Sequence, residues 1–171
     1  MSYATATLAT YANMLGTLDN LVIKASAHEK GAALLQARLA EDMFSLHTQT
    51  RFTIAQVLIA LDRLGNLGMT LDDSEITSFP DARARIAAAR DLVIATDPAT
   101  WPASGETVEF DLPNGMAFAM EAHEYCRDWA TAQFYFHLMA VYSILRAEGV
   151  PIGKADYVPY MMKYLKQPAG A

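Results

Sequence analysis

Histidines are the side chains of this 171-residue sequence best suited to chemistry near neutral pH, and there are four of them. His28 lies in the polar stretch HEKG, and His123 lies among acidic and basic neighbours, so both are expected to face solvent. His47 and His137 lie instead in apolar segments of helical period. A buried imidazole must be hydrogen-bonded, catalytic or metal-bound, because leaving it unpaired costs free energy.

His47 and His137 are each predicted on the apolar face of a helix. The apolar residues that share a face with His47 are Ile54, Leu58 and Leu61, and those that share one with His137 are Phe134, Val141, Ile144 and Leu145. Both histidines are therefore expected to point into one interior. Helical bundles hold metals there with side chains from facing helices, and neutral imidazole suits zinc, nickel, copper or iron.

A metal site of this kind would need a third protein ligand. Gln133 lies four residues before His137 and hence on the same helix face, but an amide oxygen is a weak ligand for a transition metal. Glu124 and Asp128 could supply a carboxylate if the helix bends. The competing interpretation is that each inward histidine is a core residue, hydrogen-bonded to a tyrosine or a carbonyl group.

Other catalytic chemistries find less support in the sequence. Cys126 would need a partner that lowers its pKa, and the charges beside it are mixed, so a structural thiol is expected. The sequence contains no phosphate-binding glycine loop, no G-x-S-x-G elbow and no H-E-x-x-H motif. Lys154 and Asp156, in the stretch GKADY, are expected to be solvated.

The composition is that of a globular chain, with 53% hydrophobic and 19% charged residues and a net charge of −6. No basic stripe is present, so a nucleic-acid partner is not expected. A single cysteine excludes an intramolecular disulfide and fits a reducing compartment. The N-terminal segment lacks the basic region of a signal peptide, and no apolar run approaches the roughly 18 residues that span a bilayer. We therefore expect one soluble, cytoplasmic domain over residues 1–171, with no membrane partner.

Four long helices are predicted to position the candidate side chains. Their approximate ranges are 3–27, 45–64, 78–96 and 120–148, the last of them bent midway. Shorter helical pieces are expected over 32–39 and in the tail 157–165. The alternation of Val108, Phe110 and Leu112 before a Pro-Asn-Gly turn predicts a small hairpin. The predicted fold class is all-α, a four-helix bundle with a small β-hairpin in the connection before the last long helix.

Two segments of the chain resemble a known family. FYFHLMAVYSILRAEGVPIGKADY, residues 134–157, resembles the C-terminal signature of an uncharacterised bacterial family in the DinB/YfiT-like superfamily of metalloenzymes. ARLAEDMFSLHTQT, residues 37–50, resembles the N-terminal motif of the same family, and FPDARARI falls where its third helix begins. The resemblance runs along most of the chain and is strongest in its last third.

The resemblance implies a DinB-like four-helix bundle that is dimeric in many members. It also implies a divalent metal, zinc or nickel, held by one histidine from the second helix and two that stand four residues apart in the last. His47 falls near the second-helix position and His137 matches the second histidine of the pair, whereas Gln133 replaces the first. Superfamily members with known activity include thiol-dependent transferases and isomerases.

Two functions follow from these observations. The preferred hypothesis is a non-catalytic bundle, or one with a degenerate metal site, that binds a small ligand in an inter-helix pocket formed by His47, Gln133 and His137. The alternative is a metal-dependent thiol transferase or hydrolase that acts on a small molecule. A homodimer is expected in either case.

Overall fold

Amphipathic periodicity and a serine cap define the first helix. In the computed structural model, which describes residues 1–166, α1 runs over Tyr3–Ser26. Ser2 precedes it, and its hydroxyl accepts a hydrogen bond from the backbone N–H of Thr5, as an N-cap does. The helix is one residue shorter at its end than predicted.

The second and third helices also begin and end where capping residues predict. α2 runs over Leu46–Gly65 and ends at Asn66, whose φ of 49° closes the helix in the left-handed conformation. α3 runs over Phe79–Ala95. Ser78 caps it, since its Oγ accepts a hydrogen bond from the N–H of Asp81 at 3.2 Å.

The last long helical segment is not one regular helix. It begins as the short α4, Ala122–Glu124, continues as a π-helical turn over Tyr125–Ala130, and becomes α5 over Thr131–Ala147. The bend predicted in this segment is thus a π-helical turn, in which hydrogen bonds span one residue more than in an α-helix. Gly149, with a φ of 89°, ends the segment.

The predicted hairpin forms immediately before this segment. Strands β1, Thr107–Asp111, and β2, Ala117–Glu121, pair antiparallel, with Phe110 opposite Phe118. Leu112, which the alternation placed in the strand, instead lies in the turn, where its N–H donates to the carbonyl of Met116. The two opposed phenylalanine rings stack at 5.2 Å and cover the start of the last helical segment.

The shorter helical pieces are tighter than predicted. The piece expected over 32–39 is a 3₁₀-helix, Gly31–Gln36, and the tail forms α6, Lys154–Tyr157, followed by a 3₁₀-helix, Pro159–Tyr164. Lys154 is exposed, as expected, whereas Asp156 is only partly exposed: its carboxylate lies 2.7 Å from the Lys24 ammonium and accepts the N–H of Gly153. The reason is that α6 packs against α1, which brings the two charges together.

The core lies between the four long helices, with α2 packed most extensively against α5 and α1 against α3. Its largest side chains that are fully buried include Tyr11, Met14, Leu15, Leu18, Leu61, Phe134 and Leu138. The predicted all-α class, with a small hairpin before the last long helix, is confirmed. Within residues 1–166 there is no helix with both the length and the apolar character needed to cross a membrane.

Candidate functional site

His137 is held by a side chain of the facing helix. Its Nδ1 lies 2.8 Å from Oε1 of Gln49, a residue of α2 that is 1% exposed. An amide oxygen can only accept, so the imidazole donates its Nδ1–H and the other ring nitrogen, Nε2, keeps a free lone pair. The hydrogen bond fixes both the tautomer and the orientation of the ring.

The surroundings of His137 favour a neutral imidazole. Burial lowers its pKa below the ordinary value of about 6.5, because desolvation disfavours the charged form. The rings of Phe52 and Phe136 lie 5.1 Å and 5.3 Å from it. His137 faces α2, but it is half-buried at the edge of the apolar face of α5 and not fully packed.

His47 lies in the first turn of α2 and is buried, at 7% exposure, as predicted. Its Nδ1 lies 3.4 Å from the hydroxyl of Thr48. Side chains two residues apart project about 200° apart around a helix, so His47 and Gln49 leave α2 in nearly opposite directions. The α2 side chain that meets His137 is therefore Gln49 and not His47.

Gln133, the third residue of the predicted site, opens onto a groove of about 470 Å³ between α2, the hairpin turn and the π-helical turn. The groove is lined by Gln56, Ile59, Arg63, Asp111, Leu112, Pro113, Trp129 and Gln133. We call it the Arg63 groove. Gln133 and His137 share a face of α5, one turn apart. The polar α2 side chains that line the groove with Gln133 are Gln56 and Arg63, and His47 is not among them.

Polar side chains recur along the whole contact between α2 and the last helical segment, which we call the α2–α5 seam. Its members are Gln49, Gln56 and Arg63 in α2 and, in reverse order on the facing segment, His137, Gln133 and Tyr125. The reverse order follows from antiparallel packing. The α2 members were missed from the sequence, although their seven-residue spacing puts them on one helix face.

A divalent metal would find few suitable donors here. Among residues 1–166, no group of three His, Cys, Asp or Glu side chains comes close enough to hold a metal ion. The two carboxylates considered from the sequence are engaged elsewhere: Glu124 accepts from the N–H of Glu121, and Asp128 pairs with Arg127 at 2.6 Å. The side chains as they stand do not form the three-ligand set that zinc sites use.

The remaining candidate residues, Cys126 and His123, make contacts within the fold. Cys126 is 2% exposed and burial raises the pKa of its thiol to about 11, so it stays protonated near neutral pH, as expected of a structural thiol. His123 is partly exposed, with 34% of its side chain accessible. Its Nδ1 lies 3.0 Å from the carbonyl of Ser104, because α4 packs its first residues against the loop before β1.

Comparison with known proteins places this geometry in a family. No curated protein sequence matches the chain. A crystal structure of a DinB family member from Shewanella denitrificans is similar to it, with 27% sequence identity and a TM-score of 0.77 over 96% of this chain and 92% of that chain. The chain thus has a DinB-like fold.

The family described as Domain of unknown function (DUF1993) matches residues 3–158, which includes α1, all of the α2–α5 seam and α6. The match covers the segments that carried the resemblance in the sequence. The chain therefore belongs to the DUF1993 family, a family of DinB-like proteins.

Proposed function

We propose that this protein binds a small organic ligand in the Arg63 groove and does so without a metal. The observation that supports this proposal is the position of Gln133: the residue that stands in place of a metal-binding histidine lines a groove of about 470 Å³. A groove of that size falls within the range of small-molecule sites in proteins. The replacement of histidine by glutamine then exchanges metal ligation for hydrogen bonding.

The lining of the groove has the character of a ligand site. Ile59, Leu112 and Trp129 give it apolar walls, and the amides of Gln56 and Gln133 each offer two donors and an acceptor. Ligand sites commonly combine apolar walls with a few polar groups that fix the orientation of the ligand. In this proposal His137 is a positioning residue, whose bond to Gln49 holds α5 in register with α2.

The proposal can be tested with a fragment screen on protein labelled with 5-fluorotryptophan. The chain has two tryptophans: Trp129 lines the groove, whereas Trp101 is buried against Tyr3 of α1. We expect fragments that shift the fluorine signal of Trp129 and leave that of Trp101 unchanged. Replacing Gln133→Ala should weaken these hits about fivefold or more through the lost hydrogen bond.

Gln36→Ala provides the matched control, because Gln36 is exposed on the 3₁₀-helix after α1. Its affinities should equal those of the parent. A screen without any Trp129-specific hit would contradict the proposed function, and so would equal weakening by the two glutamine substitutions.

The alternative, a metal-dependent thiol transferase or hydrolase, has one observation in its favour. Histidines that ligate metals usually donate their other ring N–H to an oxygen, and His137 does so to Gln49. We rank it second because the described side chains lack a third strong donor. Elemental analysis and a zinc and nickel titration separate the two functions. One equivalent of tightly bound metal, lost in a His47→Ala, His137→Ala double variant, would favour the alternative.

A further inference from the structure

Arg63 lines the groove and is held in a fixed orientation. Its Nη1 donates to the hydroxyl of Tyr125 at 3.1 Å, and its Cζ lies 4.3 Å from the ring centre of Phe110 and 5.3 Å from that of Tyr125. The hairpin and the π-helical turn thus hold the guanidinium from two sides. A planar cation held in this way is ready to bind without a further loss of side-chain entropy.

The charge of Arg63 has no carboxylate partner within the described part of the chain. Among residues 1–166, Arg63 forms no ion pair with a carboxylate, whereas Arg83, Arg85 and Arg127 each do. With the described residues it makes one side-chain hydrogen bond, in which Nη1 donates to Tyr125, and a guanidinium has several other N–H groups. Free N–H groups on a stacked guanidinium match the oxygens of a carboxylate or phosphate.

Two acidic side chains are relevant to the charge of Arg63: Asp62 precedes it in α2, and Asp111 lines the groove. Asp62 uses its carboxylate to accept the N–H of Met69 at 2.7 Å. Asp111 lines the groove but is exposed at its rim, in the last position of β1. Asp111 is therefore expected to weaken the binding of an anion without preventing it, because solvent screens an exposed charge.

The π-helical turn supplies an aromatic wall of the groove. Trp129 lies in this turn and packs against Phe110 and Phe118 at 5.1 Å each, so the hairpin fixes its indole. Tyr125, which binds Arg63, lies in the same turn. π-Helical turns occur frequently at functional sites, and this one joins the cation and the aromatic wall of a single groove.

We infer that the ligand of the Arg63 groove is a small organic anion with a planar apolar body. Its anionic group binds Arg63, its body packs on Trp129, and the amides of Gln56 and Gln133 bind its polar substituents. The inference rests on the proposed function and names the class of ligand, a carboxylate or a phosphate ester.

Three probes of similar size test this class: phenylacetate, phenyl phosphate and the neutral phenylacetamide. Each is titrated into 5-fluorotryptophan-labelled protein, and the signal of Trp129 is followed with that of Trp101 as internal control. We expect at least one anion to bind about tenfold or more tightly than the amide, since a charge-assisted bidentate contact is lost in the amide. The preference between the two anions identifies the anionic group.

Arg63→Met should weaken anion binding about tenfold, since it keeps an apolar stem and removes the guanidinium. Arg51→Met is the matched control, because Arg51 lies on the same helix, stacks on Phe52 at 4.7 Å and carries the same charge. It should leave the affinity unchanged. Asp111→Asn should strengthen anion binding, because it removes a negative charge from the groove. Arg63→Lys keeps the positive charge and should retain part of the affinity for anions.

Several results would overturn the assignment. If phenylacetamide binds as tightly as both anions and Arg63→Met has no effect, the ligand is not an anion and the proposed function alone remains. Equal weakening by Arg63→Met and Arg51→Met would mean that only the net charge matters. If the probes fail to shift Trp129 while neutral fragments succeed, the anion class fails alone; if the whole fragment screen fails too, both proposals fail.

Discussion

His137 is a titratable side chain whose protonation differs between the folded protein and the unfolded chain. Burial lowers its pKa below about 6.5, so the unfolded chain takes up a proton before the folded protein does as the pH falls. The contribution of neutral His137 to the free energy of unfolding should therefore be fully present above about pH 6.5. It should decrease as the pH drops below that value. Urea unfolding of the parent and of His137→Gln at pH 7.5 and 5.5 measures this effect.

We expect the parent to lose more stability than His137→Gln between those two pH values, because the variant has no imidazole to protonate. Equal losses would show that the imidazole is as readily protonated in the folded protein as in the unfolded chain. The variant should itself be less stable at pH 7.5 by about 1 kcal/mol, the usual net contribution of an intramolecular hydrogen bond.

The sequence predicts single residues unequally. The burial of His47 follows from the apolar residues on its helix face, and the structural role of Cys126 follows from the mixed charges beside it, which do not favour a reactive thiolate. Gln49 was missed because a polar residue within a helix is equally expected on a solvated face, and only the packing of α5 shows that it is 1% exposed. Periodicity shows which face of a helix is apolar, but the partner of each side chain depends on how two helices pack together.

At the level of the helices, the boundaries are controlled by a few capping side chains. Ser78 accepts the N–H of Asp81 at the start of α3, so Ser78→Ala should lower the free energy of unfolding by about 1 kcal/mol. Ser78→Asp keeps a capping oxygen and should be close to the parent. Chemical denaturation compares the three proteins, and equal destabilisation by both substitutions would show that the hydroxyl does not cap the helix.

The same capping residues explain why most helices could be predicted from the sequence. Ser78, Asn66 and Gly149 mark ends that the structure reproduces closely. The π-helical turn over Tyr125–Ala130 was foreseen only as a bend, because no residue type is specific to it. It forms where the helical segment packs between Arg63 of α2 and Phe110 of the hairpin, which are distant in the sequence.

For the whole molecule, the sequence predicts the bundle but not the groove. Each long helix carries its own apolar stripe, and packing these stripes together is enough to favour a four-helix arrangement. The Arg63 groove arises from three separate parts of the chain: α2, the hairpin turn and the π-helical turn. The sequence indicated Gln133 as a candidate metal ligand. Its neighbours in the groove depend on how these three parts of the chain pack together.

The exposed apolar side chains bear on how the whole molecule associates. Phe136 and Phe44 are 62% and 54% exposed, and ring contacts connect them through Phe52 and His137. An exposed apolar patch of this kind favours an interface between proteins. We propose that two copies of the chain associate through this patch, as the family resemblance led us to expect.

Sedimentation analysis should then give twice the 18.7-kDa mass of one chain. Phe136→Glu should shift the protein towards the monomer, because a charge within an apolar interface is costly to desolvate. Met162→Glu is the control, since Met162 is 64% exposed on the C-terminal 3₁₀-helix and outside the patch. A monomeric parent, or a dimer that Phe136→Glu does not weaken, would show that the patch is not an interface between copies. If both substitutions weaken the dimer equally, added charge alone accounts for the effect.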